Sequence, residues 1–148
     1  MADMNPSASV ATKYSPRCAL THDLEDAECV GTSTVWVDLR NSNFRPTALA
    51  IVYDETGGGM TQAIFSLLAK VGGSTEEYPL SHPVTTAVFT HTIAATGNHL
   101  IPIATMSTVP WAHPLEGVDE IGVKVAITGT GTTGNIVKAT LVGGRAGE

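Results

Sequence analysis

Charge is scarce in this sequence: only 15% of its 148 residues are Asp, Glu, Lys or Arg. Disordered chains are rich in charge and poor in apolar side chains. Here hydrophobic residues make up 43%, so a packed core is expected. Positive charge is scarcer still. The eight cations, Lys13, Arg17, Arg40, Arg45, Lys70, Lys124, Lys138 and Arg145, are scattered singly, and the net charge is −6. Binding a phosphate backbone takes several clustered cations, so no nucleic-acid partner is expected. No run of about 18 apolar residues occurs, which argues against a membrane span. The opening MADMNPSASVATKYSP has neither a basic start nor an apolar centre, and does not read as a secretory signal. Asn-x-Ser/Thr acceptor sites are absent. Cys18 and Cys29 are the only cysteines. They could pair with each other, but two do not make a disulfide scaffold; the other reading is two free thiols of a protein made in a reducing cytoplasm.

What is present is the punctuation of a β protein. Thr32–Leu39 places Val35, Val37 and Leu39 on one face and Thr34, Trp36 and Asp38 on the other. Ala48–Tyr53 is continuously apolar and reads as a strand covered on both faces. Gly57-Gly-Gly59 makes a loop, because glycine inside an element loses too much entropy. Thr61–Val71 has apolar residues at both helical and strand spacing. It is read as a strand, paired with Ala48–Tyr53 as a hairpin across the glycine loop. Val84–Ile93 alternates, with Ala87, Phe89, His91 and Ile93 on one side. Gly97-Asn98 signals a turn. Leu100–Met106 resumes a strand, and Pro102 inside it points to a sheet edge. Val109–Gly117 is irregular, with Pro110 and Pro114 in it. Ile121–Ile127 and Asn135–Val142 alternate clearly and read as a hairpin closed by Gly129–Gly134.

The expectation is an all-β chain, an antiparallel sandwich or jelly roll of about seven strands. Residues 1–28, rich in Ala, Ser, Pro and Thr, read as an N-terminal arm. Residues 29–143 form the sandwich, and 144–148 a C-terminal tail.

The chemistry-bearing residues point away from catalysis. Gly129-x-Gly131-x-x-Gly134 spells the dinucleotide fingerprint, but that motif needs a helix after the glycines to meet the pyrophosphate. Here a β-branched, alternating run follows. The five histidines, His22, His82, His91, His99 and His113, show none of the local spacings of metal ligands. His91 shares a face with Phe89 and Ile93 and reads as a core or interface histidine. The pairs Glu76-Glu77 and Asp119-Glu120 lie in turn-like sequence, not across a cleft. Ser33, Ser66, Ser81 and Ser107 sit in no nucleophile turn. No catalytic, cofactor-binding or metal-binding residue is therefore expected. Trp36 and Trp111 are left, as packing residues or as aromatic faces for a sugar ring.

The closing stretch GVDEIGVKVAITGTGTTGNIVKATLVGG and the earlier VWVDLRNSNFRPTALAIVYDETGGG resemble small β-sandwich structural proteins of tailed-phage virions. The resemblance covers about residues 30–144. Such proteins decorate or cement capsids, or build tails and head–tail connections, as symmetric oligomers with terminal arms laid on neighbours. The resemblance implies a virion protein made in the host cytoplasm, without cofactor. Its partners would be capsid or tail subunits and further copies of itself, a trimer or larger. Expected interface residues are Tyr14, Pro16, Arg17, Leu20, Trp36, Pro110, Trp111, Gly143 and Arg145. The alternative from the residues alone is a carbohydrate-binding sandwich using Trp36 or Trp111.

Overall fold

A computed structural model describes residues 18–40, 44–81, 87–103 and 118–145. These residues form strands β1 (Cys18–Glu25), β2 (Gly31–Asp38), β3 (Phe44–Asp54), β4 (Met60–Val71), β5 (Tyr78–Pro79), β6 (Thr90–Ile93), β7 (Gly97–Pro102), β8 (Val118–Gly129) and β9 (Ile136–Arg145). A 3-10 turn, Asp26–Glu28, joins β1 to β2. All pairings are antiparallel and fall into two sheets. One runs β1-β9-β3-β7. The other runs β2-β8-β4, with β5 and β6 both paired to β4. The arrangement is sandwich-like, as expected from the alternating runs.

Each long strand buries every second residue, because strand side chains alternate between faces. From β4 come Ala63, Phe65, Leu67 and Ala69; from β8, Ile121, Val123, Val125 and Ile127; from β9, Val137, Ala139 and Leu141. Thr61–Val71 is thus a strand, and its helical spacing is incidental. In β3 the phase changes partway. Phe44 and Pro46 are buried, then Leu49, Ile51 and Tyr53. A bulge between Pro46 and Ala48 inserts the extra residue, and proline is tolerated at such a site. Ala48, Ala50 and Val52 on the other face are only half-buried. The continuous apolar run is therefore covered on one side, not two.

The long strands pair in a nested series: β1 with β9, β2 with β8, β3 with β7, and β4 with β6. Two expected hairpins are consequently absent. β3 and β4 lie in different sheets, and so do β8 and β9. The glycine loops between them cross from one sheet to the other. A hairpin and such a crossing demand the same alternation in both strands. They differ only in whether the apolar faces lie side by side or face each other. Here they face each other across the core.

The crossing loops lock together at one end of the sandwich. Asp26, at φ 55°, donates its N–H to the Asn135 carbonyl at 2.9 Å, and its carboxylate accepts the Gly134 N–H at 2.8 Å. Asn135 Nδ2 donates to the Gly58 carbonyl at 2.7 Å. A Cβ at position 131 would sit 2.7 Å from the Ala27 carbonyl oxygen, so only glycine fits there. The motif-like glycines 129, 131 and 134 therefore serve close backbone packing. A strand follows them, not a helix.

Residues 18–28, part of the expected arm, hold β1 and the 3-10 turn; β1 is an edge strand beside β9. At the other terminus β9 continues to Arg145, past the expected start of the tail. Pro102 ends β7, which is an edge strand as its proline predicted. That strand starts at Gly97, so the turn expected at Gly97-Asn98 falls earlier, at 94–96. Val109–Gly117 lies outside the described residues.

Candidate functional site

The outward face of the β2-β8-β4 sheet carries the most distinctive surface. Strand register lines up Trp36, Gly122, Leu68 and Pro79 in one transverse row across β2, β8, β4 and β5. Every member is apolar. Flanking rows are polar or charged: Asp38, Glu120 and Lys70 on one side, and Thr34, Lys124, Ser66 and Thr90 on the other. Trp36 is half-buried without belonging to the core. Its ring lies on Gly122, where a Cβ would approach ring carbons to 2.9 Å. Lys70 Nζ stands over the ring, 4.2 Å from its centroid, in a cation–π contact. Glycine at 122 makes the flat seating possible, and Lys70 occupies the face that a sugar would need.

Opposite, the outward face of the other sheet has an open hollow of about 300 Å³. Ala50 and Val52 floor it, and Lys138, Thr140, Asn98 and Leu100 surround it. Leu100, 64% exposed, is the most exposed large apolar side chain among the described residues. It projects from the edge strand β7.

Between the sheets, the register builds a layer that local sequence cannot show. One inward row is His22, Ala139, Ile51 and His99. The facing row is Ser33, Val125, Phe65 and His91. The middle residues are fully buried, and the ends meet in polar pairs. At the β1/β2 edge, His22 Nε2 lies 3.0 Å from Ser33 Oγ and 3.4 Å from the Ser33 carbonyl oxygen. At the β6/β7 edge, the His91 and His99 rings stand 5.9 Å apart, tilted by 58°. Burial pushes the His22 pKa down, against the opposing pull of its Ser33 hydrogen bond. Burial also lowers the pKa of His91, and His99 adds to the shift.

The Ser33–His22 pair has the spacing of a nucleophile and its base. Both side chains point inward, however, and His22 is only 3% exposed. The imidazole that would serve as the base is thus withdrawn from solvent. Cys29 is a free, buried thiol whose Sγ donates to the Leu24 carbonyl at 3.4 Å, and burial raises its pKa. Such thiols are poor nucleophiles. Asp119 is committed to structure: its carboxylate accepts the Gly73 N–H at 2.6 Å and its carbonyl the Leu39 N–H at 2.8 Å. Glu76 and Glu77 are exposed. Among the described residues, no three His, Cys, Asp or Glu gather into a metal cage. No helix among them is long and apolar enough to cross a membrane.

Of the residues expected at an interface, Trp36 is in the outward row. Leu20 lies on β1 opposite Leu141, Gly143 opposite Pro46, and Arg145 opposite Phe44. Tyr14, Pro16, Arg17, Pro110 and Trp111 lie outside the described residues. Sequence reading missed Lys70, Leu68 and Pro79 as partners of Trp36, and both histidine pairs. The alternation of each strand held half the signal. Cross-strand register, a non-local property, held the rest.

No protein-family model matches the chain, and a search of curated proteins finds no significant match.

Proposed function

We propose that this chain is a virion structural protein that binds capsid subunits as a decoration or cement protein and catalyses nothing. The observation that carries the reading is the apolar row Trp36–Gly122–Leu68–Pro79, laid across a solvent-facing sheet and bordered by polar rows. Interfaces between subunits have this anatomy, an apolar centre with Trp enriched and a polar rim. The strand order adds support by analogy. Nested pairs wound into two facing sheets are the pattern of a jelly roll, and we read the fold as one. Viral capsid domains, lectins and cupins share that architecture, so the analogy raises the virion reading without deciding it. A low count of cations favours an outer position, away from packaged nucleic acid. A tail or head–tail connection role belongs to the same class.

The carbohydrate-binding reading loses ground at Trp36, because a pyranose would have to displace Lys70.

Immunogold microscopy on virions from the source of the sequence tests the proposal. Labelled heads are expected. Label confined to tails would move the chain to the connection role, and unlabelled particles would overturn the virion reading. Light scattering should give a trimer or larger assembly. Leu68→Asp should dissociate it while leaving the melting temperature within a few degrees. Deleting residues 1–17, which spares β1, should abolish particle binding; retained binding would remove the arm from the interface.

A further inference from the structure

We propose that His91 and His99 form a binding site for a divalent transition-metal cation at the β6/β7 edge of the sandwich. β6 belongs to one sheet and β7 to the other, so the two imidazoles reach each other across the gap between sheets. Their centroids are 5.9 Å apart. A cation bound at about 2.0–2.1 Å by one nitrogen of each ring holds the centroids roughly 5–6.5 Å apart, so the separation suits a shared ion. Both rings are half-exposed, which leaves room for waters to complete the coordination. Gly97 lies two residues before His99 on the same face, and a Cβ there would rest 3.4 Å from His99 Nε2, an ordinary contact. Thr96 Oγ1 accepts the Glu55 N–H at 3.1 Å and ties the β6–β7 turn to the neighbouring loop.

The chemistry of the pair fits the same role. Metals bind imidazole in its neutral form. Imidazole suits copper, nickel and zinc, and among them copper binds tightest. An ion held here would join the two sheets at this edge, as the His22–Ser33 hydrogen bond joins them at the opposite one. The proposal stands apart from the virion reading, since it concerns the sandwich edge and not the outward row.

The test is a thermal melt of the full, tag-free chain at pH 7.5 with CuCl2, NiCl2 or ZnCl2. Copper should raise the melting temperature most, by roughly 5–10 °C when the free ion exceeds its Kd about 100-fold. His91→Asn and His99→Asn should each abolish the rise, while a His82→Ala/His113→Ala double variant, at positions outside the described residues, should keep it. Electron paramagnetic resonance of the copper complex should show two coupled imidazole nitrogens. That readout uses the wild type and so does not depend on how well a variant folds. No rise with any of the three ions, a rise undiminished in both Asn variants, or a copper spectrum without two imidazole nitrogens would overturn the proposal.

Discussion

At the β1/β2 edge the inner layer ends in His22 and Ser33; at the β6/β7 edge it ends in His91 and His99. Both edges bring an imidazole from one sheet to a polar group of the other. They differ in what the imidazole meets. His22 is buried and meets a hydroxyl and a carbonyl, so a neutral ring is satisfied there. His91 is half-exposed and meets a second base. The comparison teaches that the partner, not the residue type, decides whether an edge histidine is closed into a cross-link or stays open to a further ligand.

The strongest way to break this contrast is truncation. His22→Ala removes a buried ring and strands Ser33, so it should cost about 2–4 kcal/mol in urea denaturation. His99→Ala, at the half-exposed edge, should cost about 1 kcal/mol. Equal losses would erase the distinction. Ser33→Ala should cost about 1 kcal/mol, and in a double-mutant cycle with His22→Ala most of that loss should vanish, because the hydrogen bond is already gone.

Acid sharpens the comparison. His22 and His91 both have folded pKa values below their ordinary 6.5. The unfolded chain therefore takes up protons first as pH falls. Stability should be full above about pH 6.5 and should decline as pH drops below it, until the folded pKa values are passed. Urea melts in chelator-containing buffer between about pH 7.5 and 5 measure this. His22→Gln should remove part of the slope and leave the part due to His91. Asp38, held low by Arg40, and Asp54, held low by Thr56, titrate in a more acidic range and leave this window clear.

The smallest effect belongs outside the core. Lys70→Met removes the cation over Trp36 and should cost about 0.5 kcal/mol. A much larger loss would mean that the outward row matters to the fold as well as to its surface.

Much of the fold was legible because burial follows strand alternation. Val35 and Val37, Ile121 to Ile127, and Val137 to Leu141 could be placed on their faces from spacing alone. Pro102 marked its edge because proline cannot donate to a ladder. The partners of each strand were not legible. Asn135–Val142 has the same alternation whether it folds back beside Ile121–Ile127 or crosses to face it. The phase shift in β3 was hidden as well, because a bulge at Thr47 leaves no periodic trace in an apolar run. At the candidate sites, Trp36 was visible as an outward aromatic. Its seat on Gly122 and its cover by Lys70 were not, since those residues lie 86 and 34 positions away along the chain.

The sequence by itself determined that this is a β protein with apolar faces to bury, few cations and glycine-rich connections, because composition and alternation are local properties. Only the tertiary structure decided which strands pair, which histidines meet and which apolar residues line up on the outside. Those contacts depend on register between segments far apart in the chain, and a slip of one residue would send each side chain to the opposite face.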